Sequence, residues 1–501
     1  MGLHLDEVSA PLRIRLGLTL SLCVMGLLVM PAFTVSPAMG LTVKSHSPIL
    51  VTNNNGFTAT NGVVSGSGTP SDPYVISGWG IDSSQLVGIT VANTTVSFVI
   101  GDVSVNSGLQ GFNDGIDLSN VTNALVENVI GTDNFFGLLL SGCSHVVAMG
   151  NYISSNTDGI VVRESSDIVL RDNTLVQNLG DAIAVNSSFK VVVVNNHASS
   201  NNGGIGANHS TYVLFSSNSV ESSLSTGLYS ELSTQIVFSN NTLNSNYEAL
   251  GIDSSSSVMV IGNDISGSQA GSIPISDTLN STVIGNTFSH NYGWDIFIFY
   301  STGIRVYHNN FFQTFATSVV YDNYEINSWD NGYPFGGNFW FDYSGTDQCS
   351  GLSQNICPNS DGLGDTPYPV AVGGGADHYP LMKPFTEPLK ATVNVNPHLL
   401  VSGSNAKYII GQIQLPSGFN ISNIDTASIR INGAFPAVVA VSASTQGLAK
   451  QTAGLIVEFR EQQVKLLYPG PGDYRVQVTG NMTSETGTIP FAGSDTILIL
   501  A

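Results

Sequence analysis

Charged side chains, and above all positive ones, are scarce in this 501-residue chain. Only 10% of the residues are charged, with 15 Lys and Arg against 36 Asp and Glu, and the formal net charge is −21. An average soluble domain carries about 25% charged residues. Such an acidic chain cannot neutralise a phosphate backbone, which argues against nucleic acid as a partner. The hydrophobic fraction of 42% excludes a disordered chain.

Long apolar runs are absent except near the N-terminus. There Arg13 and Arg15 precede an apolar run at residues 16–30, and small residues follow through Ala38. This order predicts a secretory signal peptide in residues 1–40. An uncleaved membrane anchor is the alternative, but a run of ~15 residues is shorter than the ~20 that span a bilayer. We therefore expect a secreted protein, extracellular or at the cell surface, with no stable membrane span after cleavage.

Cysteine is also rare, with four residues in the chain. Cys349 and Cys357 lie close together in a loop rich in Gly, Ser and Asn, and export makes a disulfide between them plausible. Cys143 would then be unpaired, and we expect it to be a small core residue. Cys23 leaves with the predicted signal peptide.

Asparagine, by contrast, is abundant and recurs with a measurable period. It follows a short apolar strand every 22 or 23 residues, at Asn128, Asn151, Asn173, Asn196, Asn218, Asn241, Asn263, Asn286 and Asn309. A second run with alternating apolar residues, such as 115–118 or 159–162, occurs within the period. Each unit therefore holds two or three short strands separated by turns, with no room for a helix.

These repeats predict an all-β fold, a right-handed single-stranded parallel β-helix with one turn per repeat. One coil cannot bury its own apolar residues, so coils stack about 4.8 Å apart and equivalent side chains form ladders. We interpret the asparagines as an inward, structural ladder. The expected order is an N-terminal cap with the first coils (41–114), the repeats (115–312), a C-terminal cap (313–388) and a small antiparallel β-sandwich (389–501).

The tail after Pro388 lacks the 22-residue period and alternates apolar and polar residues instead. It predicts strands at 391–396, 406–414, 428–431, 455–459, 473–479 and 495–500, and a short helix near 460–467. Residues 424–429 and 493–497 resemble a β-sandwich module that is appended to many extracellular proteins. Such modules bind, space or anchor.

The repeats and their flanking segments resemble the NosD-type β-helix repeats of the pectate-lyase-like superfamily over about residues 50–385. The resemblance includes an opening segment at 66–76 and closing segments at 327–332, 336–343, 361–368 and 379–382. The closing segments are similar to the ending of many secreted archaeal members. The family name comes from a periplasmic protein that helps to assemble the copper sites of nitrous oxide reductase. The resemblance therefore implies the fold and, as one functional alternative, a factor for copper-enzyme maturation.

Enzymes on this scaffold need acid or base groups on the outward face of the stacked strands. Most outward positions lack such groups, but Glu231 and Asp253 are expected on adjacent coils, about 5 Å apart, close to the separation in a retaining glycosidase. They are the catalytic candidates, with Tyr229 beside them as a ligand-binding residue. The alternative is that they are solvated surface acids of an acidic chain.

Two clusters near the C-terminal end of the repeats are candidate binding sites. Asp347, Asp361 and Asp365 stand in a loop that resembles extracellular Ca²⁺-binding loops, since hard oxygen ligands on a Gly-rich loop suit that ion. A plain turn cluster, stapled by the disulfide, is the alternative. Trp329 and Trp340 are candidates for a sugar-binding platform, or for a seal over the open end of the rod.

Copper is not supported by the distribution of its ligands. The nine His and eight Met are spread thinly, and no two His stand at ligand spacing. The outward positions, rich in Ser, Asn and small residues, favour a non-catalytic carbohydrate-binding or structural protein whose partner is a polysaccharide or cell-surface glycan. A polysaccharide-degrading hydrolase or lyase and the copper factor remain as alternatives.

Overall fold

The computed structural model is all-β and consists of a parallel β-helix followed by two small sheets. It describes residues 41–107, 112–315, 319–324, 326–370, 375–386, 389–401, 407–416, 419–432, 435–444, 453–466, 472–484 and 487–500. The predicted signal peptide at 1–40 lies outside these residues. Within the described ranges, no helix combines the length and apolar character that crossing a membrane requires.

The β-helix has about 11 turns, and most of its turns contribute one strand to each of three parallel sheets. Sheet 1 contains strands Ile49–Val51, Ile89–Thr94, the first half of Ile116–Glu127, Phe136–Ser141, Asp158–Arg163, Asp181–Asn186, Gly203–Asn208, Thr226–Glu231, Glu248–Asp253, Gly271–Ser276, Trp294–Phe299 and Val320–Asp322. Sheet 2 contains strands Val63–Ser65, Tyr74–Ser77, Phe98–Gly101, the second half of Ile116–Glu127, Ser144–Met149, Ser166–Arg171, Phe189–Val194, Thr211–Ser216, Thr234–Ser239, Met259–Ile261, Thr282–Ile284 and Arg305–Tyr307.

Sheet 3 is formed by short strands that follow sheet 2 in each turn. It contains strands Lys44–His46, Trp79–Asp82, Ser104–Asn106, Ile130–Thr132, Tyr152–Ser154, Thr174–Val176, His197–Ser199, Ser219–Glu221, Thr242–Asn244, Asp264–Ser266, Thr287–Ser289, Asn310–Phe311 and Phe339–Trp340. Alternate residues of all three sheets point inward, and the aliphatic ones form a continuous core that excludes solvent. Each fully buried Val, Ile or Leu contributes roughly 1.5–3 kcal/mol.

The predicted asparagine ladder is present inside the rod, at the turn between sheets 2 and 3. The Oδ1 atom of each asparagine accepts hydrogen bonds from the backbone N–H and the Nδ2 of the asparagine one coil earlier, as Asn196 does from Asn173 at 3.1 and 2.9 Å. The ladder runs from Asn151 through Asn309 and continues to Asn338. Each rung is buried, so these bonds satisfy backbone groups that water cannot reach.

Asn128 was wrongly assigned to this ladder. Its φ is 52°, its side chain is exposed, and the residue that donates to Asn151 is Val129. In the next coils the residue before each rung likewise has a positive φ, as in Gly150 and Asp172. Asparagine tolerates that left-handed conformation, which explains why one occurs at the neighbouring position.

Two further ladders, which the sequence analysis did not identify, line the other turns. A second asparagine ladder joins sheets 3 and 1 at Asn134, Asn156, Asn178 and Asn201, and then alternates serine and asparagine at Ser223, Asn246, Ser268 and Asn291. A hydroxyl ladder joins sheets 1 and 2 at Ser165, Ser188, Ser210, Ser233, Ser255, Thr278 and Ser301. The rod therefore has an inward polar ladder at each of its three turns.

Both ends of the rod carry irregular caps. At the N-terminal end, two short 3-10 helices, Asn54–Gly56 and Ala59–Asn61, precede an antiparallel pair of strands, and the Trp79 indole donates to Gly62 O at 2.7 Å. At the other end, the Trp340 ring stacks between Phe311 and Tyr368, with ring centroids 4.4 and 4.1 Å away. A two-stranded sheet, Tyr368–Pro369 with Ala376–Asp377, belongs to this cap.

The C-terminal tail forms two small sheets that are largely antiparallel. One contains strands Thr392–Asn396, Tyr408–Gln414, Val439–Ser444 and Ala453–Arg460. The other contains strands Leu389–Lys390, Leu399–Val401, Ile424–Ile431, Phe435–Pro436, Gly472–Ser484 and Gly487–Leu500. A 3-10 helix spans Ile421–Asn423, and the helix Glu461–Leu466 lies where a short helix was predicted. Each of the six predicted segments contains a strand, but three strands are longer than predicted: 428–431 begins at Ile424, 473–479 extends to Ser484, and 495–500 begins at Gly487. Buried residues of both sheets belong to one cluster.

Candidate functional site

The outward positions of sheet 1 stand in the files that the 22–23-residue period predicts. Leu139 pairs with Val161, Gly206 pairs with Tyr229, and Glu231 pairs with Asp253. Parallel neighbours in a sheet lie about 4.8 Å apart, so side chains in one file are close enough to act together. The outward face of sheet 1 is therefore a surface on which a site can be assembled from successive coils.

Glu231 and Asp253 do lie side by side on this face. The Glu231 side chain is exposed and accepts a hydrogen bond from Asn208 Nδ2 at 3.0 Å on the preceding coil. Asp253 is half-buried and accepts from the hydroxyls of Ser254 and Ser276. All of these donors are neutral, so the structure brings the two carboxylates together without a cation between them.

Tyr229 does not extend toward Glu231 but lies back across two coils. Its hydroxyl donates to Asp181 Oδ2 at 2.8 Å, and its ring passes over Gly206, where any Cβ would collide with it. Gly203 leaves similar room for the Asp181 carboxylate. The glycines of this coil thus allow a phenol and a carboxyl from different coils to pair against the sheet.

Burial is the largest cause of the raised pKa values of Asp181 and Tyr229. It raises the pKa of Asp181 to about 6, although the hydrogen bond from Tyr229 acts in the opposite direction. Burial, followed by the charge of Asp181, raises the pKa of Tyr229 well above its ordinary value. Asp114, further down the same face, also has a pKa raised to about 6 by burial. The phenol therefore stays protonated and acts as a donor to Asp181 at neutral pH.

Six aromatic side chains cover the outward face of sheet 1 at its C-terminal end. We call them the aromatic platform: Trp294, Phe297, Phe299, Tyr300, Tyr321 and Tyr324. Their rings form one connected set, and Phe297 stacks on Tyr321 with centroids 4.7 Å apart. Trp294 is 41% exposed and Tyr300 is 54% exposed. The other rings except Tyr324 are partly buried, so the set lies at the surface rather than in the core of the rod.

The sequence analysis named other aromatics as the sugar-binding candidates. Trp329 and Trp340 are each 1% exposed and belong to the core of the rod and its cap. Their indole N–H groups donate to Asp322 at 3.2 Å and to Asp377 at 2.8 Å. Neither ring offers a face to a ligand, and their packing corresponds to the alternative expectation, a seal for the end of the rod.

The signal for the aromatic platform was present in the sequence. Phe297 and Phe299 follow Pro274 and Ser276 in the two outward files of sheet 1, whose register the period predicts. Trp294 begins the same strand, and Tyr321 follows one coil later in the file of Phe297. Aromatic residues at consecutive outward positions are the pattern that would have identified the surface.

The acidic loop near the C-terminal cap uses its carboxylates to bind its own backbone. Asp347 accepts from the N–H groups of Asp361 and Gly362 at 3.0 and 2.9 Å, and Asp365 accepts from those of Gln348 and Cys349 at 2.8 and 3.0 Å. Burial raises the pKa of Asp361. The predicted disulfide between Cys349 and Cys357 closes this loop. The carboxylate oxygens of Asp347 and Asp365 thus already accept hydrogen bonds from the backbone, as the alternative of a plain turn cluster expects. A Ca²⁺ ion at this loop stays a prediction.

The two histidines that flank ladder asparagines, His197 and His308, have other partners in the described part of the chain. His308 Nε2 lies 2.7 Å from Phe335 O, and His197 lies 3.6 Å from the carboxylate of Glu221. Among the described residues, no group of three His, Cys, Asp or Glu side chains has the geometry to hold a metal ion. Cys143 is buried and unpaired, as expected.

Solved structures with a similar fold share little sequence with this chain. The mannuronan C-5 epimerase A-module of Azotobacter vinelandii is 16% identical, with a TM-score of 0.42, over 57% of this chain and 89% of that chain. A lidless DFA-IIIase from Arthrobacter chlorophenolicus A6 is 11% identical, with a TM-score of 0.38, over 50% and 70%. Tailspike protein 3 of bacteriophage CBA120 is 12% identical, with a TM-score of 0.38, over 55% of each chain. No curated protein matches the sequence.

Two family models match the rod. One, described as periplasmic copper-binding protein (NosD), matches residues 67–252, and the other, described as right handed beta helix region, matches residues 203–333. Each match covers less than half of the chain, and both agree with the solenoid of parallel strands in supporting a right-handed β-helix for the rod.

Proposed function

We propose that this protein binds a polysaccharide outside the cell, without cleaving it, through the aromatic platform. The observation that carries the proposal is the connected set of six rings at the end of sheet 1, of which Trp294, Tyr300 and Tyr324 are exposed. A folded protein rarely leaves such a set exposed unless a ligand or partner covers it. The signal-like composition of residues 1–40 supports a location where polysaccharides are encountered.

The geometry of the platform suits an extended sugar chain. Phe297 and Tyr321 stack face to face at about the coil spacing, so the rings left to meet a sugar are the exposed ones, such as Trp294 and Tyr300. The apolar face of a pyranose packs on an aromatic ring, while the Tyr hydroxyls and the Trp indole can hydrogen-bond to its hydroxyl groups. A polymer lying along the rod would therefore meet aromatic rings on two successive coils.

Binding of polysaccharides by the full chain tests this proposal. The panel should include neutral, amino-sugar and acidic polysaccharides. Affinity electrophoresis screens the polymers, and calorimetry then measures binding of oligosaccharides of those that bind. Replacing the exposed ring in Trp294→Ala should weaken binding about tenfold or more, because large aromatics dominate binding energy at such surfaces. The matched control is Phe189→Ala, since Phe189 is equally exposed, at 41%, but lies on sheet 2.

Equal binding by wild type and Trp294→Ala, or an equal loss in Phe189→Ala, would remove the platform from this role. No binding to any polymer would refute the proposal as a whole. Both variants alter exposed side chains, so their thermal unfolding should match that of the wild type within a degree or two, which separates lost contacts from lost fold.

A second candidate function, hydrolysis or elimination of a polysaccharide, is favoured by the pairing of Glu231 with Asp253. Two carboxylates on adjacent coils stand near the separation of about 5–5.5 Å at which one acts as acid and the other as nucleophile. A reducing-sugar assay with the panel above tests this function. Activity that survives Glu231→Gln would exclude that carboxyl from catalysis. If neither the wild type nor the variant releases reducing sugar, the second candidate function is refuted and only the binding function stands.

A further inference from the structure

Between the aromatic platform and the acidic part of sheet 1, the outward face is lined by residues with little or no side chain. Glu248 pairs with Gly271, which pairs with Trp294, and Asp253 pairs with Ser276, which pairs with Phe299. The intervening coil thus presents Gly271, Pro274 and Ser276, and the coil before it presents Gly251. We call these four residues the floor. It separates carboxylates from rings by two coil spacings, about 10 Å.

The carboxylates beside the floor lack positive partners. Glu248 accepts a hydrogen bond from the Thr226 hydroxyl at 3.2 Å, and Asp253 accepts only from serine hydroxyls. Within the described ranges, no Lys, Arg or His forms an ion pair with Glu248, Asp253 or Glu231. Each carboxylate keeps oxygen lone pairs that can accept further hydrogen bonds.

The same charge imbalance extends along the whole outward face of sheet 1. Seven acids occupy outward positions of the strands or the coil position at which most of the strands begin: Asp114, Asp117, Asp158, Asp181, Glu231, Glu248 and Asp253. Arg163 is the one cation at the corresponding described positions. An acidic face raises the local concentration of cations and repels anions. A uronic-acid polymer would therefore meet like charges along its path.

We infer that the polysaccharide bound by this surface is an amino-sugar polymer with free, protonated amino groups. The inference rests on the proposed function and names its ligand class. Sugar rings stack on the aromatic platform and the chain crosses the floor. Glu248 and Asp253 stand at opposite ends of one strand, so a chain that follows the file of Trp294 donates its ammonium groups to Glu248, and a chain that follows the file of Phe299 donates to Asp253. A protonated amine gains both a charge and a hydrogen bond from each carboxylate, whereas an N-acetylated sugar gains only the weaker, neutral hydrogen bond.

The experiment compares three oligomers of equal length with the full chain: glucosamine oligomers, their N-acetylated counterparts and galacturonate oligomers. Calorimetry at a pH where the amine is protonated should give the tightest binding for the glucosamine oligomer and none for galacturonate. Exposed ion pairs each contribute up to about a few-fold in affinity, so the double variant Glu248→Gln/Asp253→Asn should weaken glucosamine binding about tenfold. Raising the salt concentration should weaken the wild type more than the double variant.

Separate outcomes test the ligand class and the binding surface. In the double variant, binding of the N-acetylated oligomer should be unchanged, while Trp294→Ala weakens both neutral and amino oligomers. If N-acetylated and free-amine oligomers bind equally and the double variant binds as wild type, the amino-sugar inference fails while the proposed function stands. If galacturonate binds best, the inference fails likewise. If no oligomer binds, both fail.

Discussion

Asp295 is a carboxyl group buried inside the rod without a cation, and its neutralisation should stabilise the fold. It is fully buried, and its Oδ1 atom accepts from Asn291 Nδ2 at 2.7 Å and from the Ser272 hydroxyl at 3.2 Å. Among the described residues, its Oδ2 atom has no hydrogen-bond partner. The substitution Asp295→Asn can place the amide oxygen at Oδ1 and the NH₂ group at the unpartnered Oδ2 position. It therefore removes the charge and keeps both existing hydrogen bonds.

The size of the effect follows from the protonation of the carboxyl. Burial raises the pKa of Asp295 from 3.8 to about 7, despite the hydrogen bonds from Asn291 and Ser272. The folded protein thus binds the proton more tightly than the unfolded chain, so the free energy of unfolding falls as pH rises from about 4 to about 7. A difference of about three pH units corresponds to about 4 kcal/mol at most. Asp295→Asn should recover roughly 2–4 kcal/mol at pH 8 and almost nothing at pH 4.

Urea unfolding followed by circular dichroism at pH 4, 6 and 8 measures this difference. The matched control is Asp377→Asn, at a second carboxyl whose pKa burial raises to about 7. Both oxygens of Asp377 accept N–H groups, from Asn338 at 2.7 Å and from Tyr379 at 3.1 Å, so an amide there places NH₂ against a donor. We expect that variant to lose stability at all three pH values. An Asp295→Asn protein no more stable than wild type at pH 8, or equally stabilised at pH 4, would refute the reasoning.

Three further predictions concern the ladders and the Tyr229 pair. Ser268→Asn should add about 1 kcal/mol to the free energy of unfolding. In the wild type the Ser268 hydroxyl has no partner among the described residues, whereas asparagine at this position in neighbouring coils accepts a ladder hydrogen bond. Urea unfolding beside a Ser268→Ala control measures the difference. Asn218→Ala should cost about 3 kcal/mol, since it leaves the buried backbone N–H of Asn196 without an acceptor and removes one of the acceptors of Asn196 Nδ2; a loss below 1 kcal/mol in thermal unfolding would contradict this. Gly206→Ala should displace Tyr229 and expose Asp181, because a Cβ at position 206 would collide with the Tyr229 ring. The pKa of the Asp181 carboxyl, followed by NMR titration, should then fall from about 6 toward 3.8. An unchanged pKa would contradict the role of Gly206 in making room for the Tyr229 ring.

The period of the asparagines was sufficient to predict the register of the β-helix. A repeat of 22 or 23 residues fixes which side chains become neighbours, so the pairing of Glu231 with Asp253 could be predicted without coordinates. Residues that share a position in the coil then share its burial, as Asn173 and Asn196 do. The error at Asn128 had a local cause, because two adjacent positions of the turn both suit asparagine.

Features that depend on the caps could not be predicted in this way. Trp340 lies within a segment that has no period, and its burial results from stacking on Phe311 and Tyr368. The direction of Tyr229, across two coils toward Asp181, depends on a side-chain rotamer that the repeat does not specify. The aromatic platform was predictable in position, but its value as a surface follows from exposure, which only the structure shows.

The two asparagine ladders have a direction, and that direction explains the buried carboxyls at their ends. Each rung donates toward the C-terminal end of the rod and accepts from the opposite side, so the last rung has donors left over. The first ladder ends where Asn338 donates to Asp377, and the second ends where Asn291 donates to Asp295. A carboxylate accepts without donating, so it ends the series, whereas another asparagine brings an NH₂ group that needs an acceptor. Asp295→Asn has that unpaired group too, so its advantage is confined to pH values at which the buried carboxyl is ionised. The acids thus close the interior of a repeat that could otherwise continue to add coils.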